Sequence, residues 1–390
     1  MPADSSSVVI PAIHNGSSLS CMRSLGRRDV HTIGVASDRS APSIHSAYCS
    51  ESRIVPHPSG DFDGYTDELR AIAKRSDVRT IVPLREADIY ALSTYRDDFA
   101  SHIATPWPER DTVRGAQDRQ SLLTLADDVG VRVPRWAPLR EWNDWSAERV
   151  IKPRYSFLVE DEVYFPTVQV TTAREPPDVA DIAAEMGHEP LVQEFVDGGE
   201  YGYFALYDRG DPIAEFQHRR IRSYKASGGA SVFREAVQLP TLADAGRAIL
   251  DALDWHGPAM VEFKRDAETG EFVLMEVNPR FWGSLSLPVH AGVDFPWLYY
   301  QLANGSRIDE QPTYRAGVGC HELVGELIYL YDVLTGDYEH LELPPVSREC
   351  VRILASLASH RQFDYVSSND PTPFLRSVVN VLGEGWRRMG

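Results

Sequence analysis

The sequence predicts a mixed α/β protein in three parts, and three observations support this prediction. Up to about residue 105, short apolar runs alternate with helical patterns, as in a parallel, doubly wound sheet. From there to about residue 305, strand patterns come in pairs joined by turns, which indicates antiparallel hairpins. Beyond about residue 305 the spacing of apolar residues is mostly helical. We therefore expect domains at 1–112, 113–305 and 306–390.

The N-terminal part begins with a strand–helix–strand pattern. Val8-Val9-Ile10 is a short apolar run, a segment with helical spacing follows, and Thr32 to Ala36 is a second apolar run. The turn after the first run lacks the G-x-G-x-x-G pattern, so a dinucleotide site is not indicated. Glu86 and Asp88 lie near the end of a later strand, where a crevice could take a small ligand. A solvated helix N-terminus is the favoured interpretation of these two acids.

The composition excludes several classes of protein. The 390-residue chain has 43% hydrophobic and 25% charged residues, with a formal net charge of −18. An acidic surface repels phosphates, so we expect no nucleic-acid partner. No apolar run has the length of a transmembrane helix, and the N-terminus lacks the pattern of a signal peptide. We expect no membrane partner and a cytoplasmic location.

Lysine is rare in this sequence, because the basic residues are nearly all arginine. Only Lys74, Lys152, Lys225 and Lys264 occur. An acidic excess with few lysines suits solubility in high salt, which predicts a halophilic source. A GC-rich genome that favours arginine codons is the alternative. The four cysteines form no C-x-x-C pair and match no zinc spacing, so we expect reduced thiols that serve mainly in packing.

Two strand patterns in the central part carry the strongest chemical signal. Met260 to Lys264 and Val273 to Arg280 are expected to pair as a hairpin. Side chains alternate between the two faces of a strand, so Glu262, Glu276 and Asn278 should share one surface. The opposite, apolar face is expected to hold Val261, Phe263, Val273, Met275 and Val277.

The predicted polar face has the chemistry of a magnesium–phosphate site. Two carboxylates and an amide oxygen are hard ligands that suit Mg²⁺, with phosphate oxygens filling other positions. Arg280 follows on the same face, where it could meet the charge of a transferred phosphoryl group. An ordinary half-exposed hairpin with solvated charges is the alternative, and it is the favoured interpretation of Glu262 taken alone.

These motifs resemble a known superfamily. The segments V-E-F-K (261–264) and M-E-V-N-P-R (275–280) are similar to the metal-binding strand pair of ATP-grasp enzymes. The similarity is to the biotin carboxylase and carbamoyl phosphate synthetase branch, which includes uncharacterised carboxylate–amine ligases. The resemblance implies a Rossmann-like pre-ATP-grasp domain, a central ATP-grasp α+β domain and a C-terminal mostly α region. It also implies ATP with Mg²⁺ or Mn²⁺, the metal being held by Glu262, Glu276 and Asn278.

Further site residues follow from the resemblance, in the expected order along the chain. Asp118-Arg119, within a helix expected from Asp111 to Val129, resembles the start of the ATP-grasp module, where Arg119 would contact the nucleotide phosphates. Lys152 in V-I-K-P would contact them as well. The backbone of Glu194 and Val196 would bond the adenine edge, with Phe195 packed on the ring. Glu200 would accept hydrogen bonds from the ribose, although a plain loop carboxylate is the alternative.

The sequence departs from the family pattern after Lys152. Many relatives have a glycine-rich loop there that closes over the phosphates, but residues 154–161 contain no glycine. A biotinylated or lipoyl-type carrier segment is also absent from the sequence, as are a second ATP-grasp half and an amidotransferase. These departures argue against biotin-carboxylase and carbamoyl-phosphate-synthetase activity themselves.

A basic strand precedes a Gly-Gly-Ala-Ser turn at 228–231. By alternation His218, Arg220 and Arg222 should share one face, and with the turn's backbone amides they would form an anion cradle. In the resembled family such a strand lies near the γ-phosphate and the acceptor. We therefore expect Arg220 and Arg222 to act with Arg280 in catalysis. For any single arginine, a structural pair with a neighbouring acid is about as well supported.

The implied function is ATP-dependent ligation. A carboxylate would be activated as an acyl phosphate and attacked by an amine, or less favourably by a thiol. Another MgATP-dependent activity on this fold, carboxylase-like or kinase-like, and a non-catalytic nucleotide-binding protein are the alternatives. The expected partners are a small-molecule carboxylate and amine. The sequence leaves their identity and the oligomeric state open, with a homodimer as one option.

Overall fold

The N-terminal part of the chain forms a four-stranded parallel sheet. The computed structural model describes residues 6–159, 162–163, 171–173, 175–308, 310–336, 338 and 343–389. The first elements are β1 (Ser7–Pro11), α1 (Gly16–Gly26), β2 (His31–Ala36), β3 (Glu51–Ile54), α2 (Phe62–Ala73), β4 (Val78–Ile81), α3 (Glu86–Thr94) and α4 (Arg96–Ala100). The strand order is β3-β2-β1-β4 and all pairs are parallel, as predicted.

The single helix predicted from Asp111 to Val129 is wrong, because two helices occupy this segment. They are α5 (Arg110–Gln117) and α6 (Arg119–Asp128). Asp118 between them has an extended backbone, and its side chain accepts from Gln120 N at 3.1 Å. Arg154 also pairs with Asp118 through two hydrogen bonds of 2.9 and 2.8 Å. The break is thus a capped helix start, and it fixes Arg119 at the beginning of α6.

A small antiparallel sheet follows. Its elements are β5 (Trp136–Pro138), β6 (Arg149–Lys152), β9 (Thr171–Ala173), α7 (Val179–Met186) and β10 (Leu191–Glu194), with the strand order β5-β10-β6-β9. A two-stranded hairpin, β7 (Leu158–Val159) with β8 (Glu162–Val163), follows Lys152. Residues 160–161 of the glycine-free segment lie outside the described residues.

The large sheet has seven strands. Its elements are β11 (Gly198–Asp208), β12 (Asp211–Lys225), β13 (Gly228–Ala236), α8 (Pro240–Ala252), β14 (Gly257–Asp266), β15 (Phe272–Asn278), β16 (Gly319–His321) and β17 (Gln362–Phe363). The order is β15-β14-β11-β12-β13-β16-β17. The last two strands therefore come from the region predicted to be mostly helical.

The remaining elements are helices, and the three that follow residue 305 agree with the prediction for the C-terminal part. They are α9 (Ser286–Ala291), α10 (Phe295–Ala303), α11 (Leu323–Thr335), α12 (Val346–Ser359) and α13 (Thr372–Met389). Two short 3₁₀ helices occur earlier, at Pro42–His45 and Leu139–Glu141. Within the ranges given above, no helix combines the length and the apolarity needed to cross a bilayer.

The two faces of the large sheet are covered by different layers. On one face Tyr203 and Tyr207 of β11 pack with α8 in one core cluster. On the other face Phe204 and Leu206 pack with Trp282 and with residues of the N-terminal sheet. The part of this second face nearer the start of β11 is not covered in this way, and a cleft lies there between the large and small sheets.

Candidate active site

Strands β14 and β15 bring the three predicted metal ligands together. Glu262 lies directly opposite Glu276 in the antiparallel pair, and Asn278 lies opposite Met260. The Asn278 amide nitrogen is 3.3 Å from Glu262 Oε1 and 3.2 Å from Glu276 Oε1. The three side chains therefore meet on one face of the sheet, at the cleft.

The predicted apolar face of β15 is wrong in detail. The register shifts between Glu262 and Phe263, because β15 carries one extra residue at this point. Leu274 and Val277 enter the apolar core, whereas Met275 lines the cleft beside Glu276. Because of this bulge, the residues of β15 before Met275 face the side opposite to the predicted one. The residues from Glu276 to Asn278 keep their predicted faces.

The cleft has a volume of about 300 Å³, and charged side chains from both sheets line it together with apolar ones. Lys152 of the small sheet faces Glu262, Lys264 and Arg220 of the large sheet, and the turn at Ser227–Gly229 closes one side. Gly202 forms part of the floor, and a Cβ at this position would lie 2.4 Å from the Phe204 ring. A side chain on the floor is thereby excluded, which leaves room for a ligand.

The two carboxylates at the cleft interact strongly. Burial, and then the charge of Glu276, raises the pKa of Glu262 to about 7. Burial also opposes ionisation of Glu276, but the nearby Arg119 and Lys152 outweigh it and lower the pKa of this carboxyl. Two like charges held this close favour a cation between them.

Burial also affects the basic side chains of the cleft, Lys152, Arg119 and Arg220. Desolvation, followed by the charge of Arg119, lowers the pKa of Lys152 to about 8, with Glu276 and Glu262 partly opposing this shift. In the described part of the chain, the buried Nε atoms of Arg119 and Arg220 have no hydrogen-bond partner. These donors fit an anionic ligand such as a phosphate chain.

The donor set fits a magnesium ion that also binds phosphate. The described residues contain no group of three or more His, Cys, Asp or Glu side chains arranged to hold a metal by themselves. Mg²⁺ is usually bound by one or two carboxylates together with substrate phosphates, so Glu262 and Glu276 are sufficient. The Asn278 amide oxygen accepts from Arg280 Nη2 at 2.9 Å, while its amide nitrogen faces the two carboxylates. A 180° rotation of the amide group would exchange the two atoms and turn the oxygen toward the carboxylates.

Arg119 and Arg280 border the carboxylates from two directions. Arg119 Nη2 is 3.3 Å from Glu276 Oε2, and its Nη1 donates to the Pro153 carbonyl at 2.6 Å. Arg280 Nε donates to Glu86 Oε1 of the N-terminal part at 2.7 Å.

Glu86 is a site residue that sequence reasoning missed. The sequence favoured a solvated helix end for this acid, but its carboxylate holds both Arg280 Nε and, at 2.7 Å, the Gln117 side-chain amide. Glu86 and Arg280 are separated by 194 positions, and no local pattern connects them. The position of Glu86 near the end of a parallel strand was the available signal.

The expected adenine-binding segment lies beside the cleft. The Val196 carbonyl accepts from Lys264 Nζ at 2.8 Å, and the same ammonium lies 4.9 Å from the centre of the Phe195 ring. The Glu194 N–H donates to the Arg135 carbonyl at 2.9 Å. An adenine edge would therefore use the Glu194 carbonyl and the Val196 N–H, while the Phe195 ring, 46% exposed, is available for packing.

Lys264 is the second residue that the sequence reasoning did not assign, although it belongs to the V-E-F-K motif. It lies on the same face of β14 as Glu262, and its partner on the neighbouring strand β11 is Glu200. Its contacts with Phe195 and Val196 connect this strand to the expected adenine-binding segment. The alternation of β14 was the signal that could have identified it.

Glu200 and Arg220 pair with each other across β11 and β12. The Arg220 guanidinium donates to the Glu200 carboxylate, and both side chains line the cleft. Next to them, the buried His218 shares a hydrogen bond of 2.9 Å between its Nε2 and Ser284 Oγ. Burial, and then Arg234, lowers the pKa of His218 to about 3, so this ring is neutral at physiological pH.

The expectation that Arg222 shares the face of Arg220 is wrong. The register of β12 shifts between these two residues, and a shift by one residue moves a side chain to the other face. Arg222 is buried and donates to the Glu326 carboxylate of α11 at 2.9 and 2.8 Å, and to Ser356 Oγ of α12 at 2.7 Å. Arg222 therefore anchors the C-terminal helices and does not line the cleft.

Comparison with known proteins identifies the central segment. Residues 188–324 match a family model described as ATP-grasp in the biosynthetic pathway with Ter operon. A D-alanine–D-alanine ligase from Acidiphilium cryptum (strain JF-5) is 31% identical over 133 residues, which cover 30% of this chain and 44% of the ligase. The match thus spans less than half the length of this curated relative.

Solved structures resemble most of the chain. A biotin carboxylase domain from Hydrogenobacter thermophilus 2-oxoglutarate carboxylase, in complex with MgADP, ADP and bicarbonate, has a TM-score of 0.63 at 13% identity, covering 80% of this chain and 73% of that one. N5-carboxyaminoimidazole synthetase from Staphylococcus aureus has a TM-score of 0.60 at 11% identity, covering 80% of each chain. L-amino acid ligase from Bacillus licheniformis has a TM-score of 0.56 at 16% identity, covering 76% of this chain and 73% of that one. The ATP-grasp fold is confirmed, and the family match confirms the resemblance within 188–324.

Proposed function

We propose that this chain, whose central segment matches an ATP-grasp model, is an ADP-forming ligase that joins a carboxylate to an amine. The observation that carries the proposal is the cleft itself. Glu262, Glu276 and Asn278 converge on one face of the large sheet, with Arg280 beside them and Lys152 opposite. This set of charges matches a triphosphate with its metal better than it matches a neutral ligand.

The proposed reaction has two steps. In the first, a substrate carboxylate oxygen attacks the γ-phosphorus of ATP, the bond to the β-phosphate oxygen breaks, and ADP and an acyl phosphate result. In the second, an amine nitrogen attacks the acyl carbon, inorganic phosphate leaves with the C–O bonding pair, and the nitrogen loses a proton. A thiol in place of the amine is the less favoured variant. Neither step needs a nucleophile from the protein.

The basic residues position and neutralise the phosphates in this scheme. Lys152 and Arg119 bind the phosphate chain from the small-sheet side, where both are already close to Glu276. Arg280 and Arg220 stabilise the negative charge that develops during phosphoryl transfer. Arg280 is held in place by Glu86, so that its guanidinium is oriented before the substrate binds.

Glu262, Glu276 and Asn278 would hold Mg²⁺ or Mn²⁺. A bound metal would neutralise charge on the phosphate chain. The MgADP complex of the Hydrogenobacter biotin carboxylase domain supports this choice of cofactor. Glu194 and Val196 would bond the adenine edge and Phe195 would pack on the ring. Glu200 would bind the ribose once it releases Arg220.

Amino acids are the substrates to test first. The printed names of two similar proteins, a D-alanine–D-alanine ligase and an L-amino acid ligase, describe ligation of amino acids. ADP release should be assayed against a panel of amino acids and other carboxylic acids. A ligase releases ADP and phosphate at full rate only with both substrates present, whereas a kinase leaves a stable phosphorylated product.

The decisive variant is Glu276→Ala. We expect it to lose at least about 100-fold in turnover, since a metal ligand is removed at the reacting phosphate. Glu268→Ala, in the exposed turn of the same hairpin, is the matched control and should keep wild-type turnover. A fully active, folded Glu276→Ala protein would contradict the site assignment.

The remaining expectations stay proposals. We retain the boundaries 1–112, 113–305 and 306–390, with the last part completing the large sheet through β16 and β17, and we also retain a cytoplasmic location and a halophilic source. The net charge of −18 and the four lysines support the last of these.

A further inference from the structure

A second cavity lies apart from the candidate active site, between α1 and α9. It has a volume of about 410 Å³, and its walls come from α1, from α9 and the start of α10, and from residues 363–367. This volume is within the usual range for small-molecule sites. Among the described residues, none that lines this cavity also lines the cleft between the two sheets. The proposed reaction uses none of its side chains.

Asp364 supplies a buried carboxylate to this cavity. The residue is 4% exposed, and its Oδ1 atom accepts from the Arg234 guanidinium and from Ser286 Oγ. The Oδ2 atom accepts no hydrogen bond from the described residues. A buried carboxylate oxygen without a donor is costly, so an occupant that donates hydrogen bonds would stabilise it. An ammonium group is the strongest such donor for a carboxylate.

His290 adds a second acceptor to the same cavity. Its Nε2 donates to the Phe363 carbonyl at 3.3 Å, so Nδ1 is the acceptor of the neutral ring. Burial lowers the pKa of His290, and the hydrogen bond to Phe363 and the charge of Asp364 only partly oppose this shift. The ring is therefore neutral at pH 7 and does not repel an ammonium group.

Three arginines of the α1 segment line the cavity, and one of them lacks an acidic partner. The Arg23 guanidinium is saturated by a carboxylate and three carbonyl oxygens, and Arg28 pairs with Asp294 at 2.8 Å. The exposed Arg27 guanidinium makes no hydrogen bond or ion pair with the described residues, and it lies 5.5 Å from the centre of the Tyr48 ring. In a chain of net charge −18, such a guanidinium is available to the anionic group of a ligand.

The cavity thus offers opposite charges to one small occupant. Asp364 and Arg27 both act on the pKa of His290, in opposite directions, so the two charges lie near the same ring. An α-amino acid carries an ammonium and a carboxylate on one carbon atom and matches both charges. The wall also includes three apolar side chains that could pack on an aliphatic side chain: Val289, Phe363 and Val366.

Arg234 lies between this cavity and the candidate active site. It donates to the Asp364 carboxylate on the cavity side, and its partner on β12 is Arg220, which lines the cleft. A molecule in the cavity would meet the far side of this buried arginine and not the proposed phosphate site. The position of Arg234 therefore favours a bound molecule that does not itself react.

We propose that the cavity between α1 and α9 is a second site, which binds a free aliphatic α-amino acid through Arg27 and Asp364 and takes no part in the chemical step. Isothermal titration of the full chain without ATP should show binding of L-leucine or D-leucine. Two analogues test the two charges, since 3-methylbutylamine lacks the carboxylate and 4-methylpentanoate lacks the ammonium. Each should bind at least about tenfold more weakly than leucine, because one charge-assisted contact is lost.

Arg27→Gln is the test variant. It removes the unpaired guanidinium from an exposed position at the end of α1, so the fold should be kept, and leucine should bind at least about tenfold more weakly. Arg209→Gln removes the same charge from the exposed turn between β11 and β12 and is the matched control. It should bind leucine as the wild type does. Circular dichroism melts check that both variants are folded.

Four results would each overturn the proposal. The first is the absence of binding by either leucine enantiomer at about 10 mM. The second is unchanged binding by Arg27→Gln, which would place leucine elsewhere. The third is equally tight binding of 4-methylpentanoate, which would make the cavity a plain anion site. The fourth is a tenfold higher KM for an amino-acid substrate in Arg27→Gln, which would make it the substrate pocket.

The titration does not depend on the proposed ligase activity. A wild-type protein that binds leucine in this way but releases no ADP with any substrate would contradict the proposed function and leave the second site standing. An active ligase without leucine binding would do the reverse.

Discussion

Glu86 shows how one side chain can join two parts of the molecule at the candidate active site. Its carboxylate, on α3 of the N-terminal part, accepts from Arg280 Nε at 2.7 Å. We predict that Glu86→Gln lowers kcat about tenfold, equivalent to about 1.4 kcal/mol, because Arg280 loses its charged partner. KM for ATP should change less than about twofold, since Glu86 contacts none of the proposed nucleotide-binding residues.

Steady-state kinetics at saturating acceptor would measure this split. Glu68→Gln, at an exposed position of α2, is the control and should behave as wild type. An approximately tenfold rise in KM for ATP with unchanged kcat would show that Glu86 supports nucleotide binding and not the orientation of Arg280.

Arg220 and Arg222 are two residues apart and should respond oppositely to the same substitution. Arg222→Met leaves Glu326 buried without its main partner, and we expect a loss of about 3 kcal/mol in the free energy of unfolding. Arg220→Met should cost less than about 1 kcal/mol, because its pair with Glu200 faces the open cleft. Its kcat should fall instead. Urea unfolding and ADP release on both variants would test this, and a stable Arg222→Met with impaired catalysis would reverse the assignment.

At the level of single elements, the start of α11 should make stability depend on pH. Glu322 caps this helix, accepting from Val324 N at 3.3 Å and from Gly325 N. Burial, and then Asp364, raises the pKa of Glu322 from 4.5 to about 6. The unfolded chain therefore ionises this group at lower pH than the folded one, and the folded state loses stability as pH rises from 4.5 through 6.

Glu322→Gln removes this titration. The stability of wild type relative to the variant should fall by about 2 kcal/mol between pH 4.5 and 7. Urea unfolding at both pH values measures the change. A difference that is constant with pH would mean that the capping carboxyl keeps its ordinary pKa.

The strands show how far sequence reasoning reaches. Period-two alternation correctly placed Glu262, Glu276 and Asn278 on one face, because no irregularity separates the last two. It failed at Met275 and at Arg222, where one extra residue in the strand inverts the faces. Sequence patterns do not mark such bulges, and they also cannot show a contact such as Glu86 with Arg280, which only the assembled domains create.

For the whole molecule, the net charge of −18 should make stability depend on salt. Screening weakens the repulsion among surface carboxylates, so we predict a Tm about 5 °C or more higher in 2 M KCl than in 0.1 M KCl. Differential scanning calorimetry measures this, with a sucrose series as the control for general solute exclusion. A Tm independent of KCl would favour codon bias as the origin of the lysine scarcity.

The C-terminal strands also limit how this protein can be cut and recombined. In the large sheet, Cys320 of β16 pairs with Arg234 of β13 and with Gln362 of β17, and the buried Arg234 guanidinium donates to the Asp364 carboxylate. A fragment ending near residue 305 would expose the edge of β13 and leave Arg234 without its counter-ion. Such a shortened fragment should aggregate when expressed alone. Chimeras and truncations should therefore carry the chain through at least Asp364 as one inseparable unit.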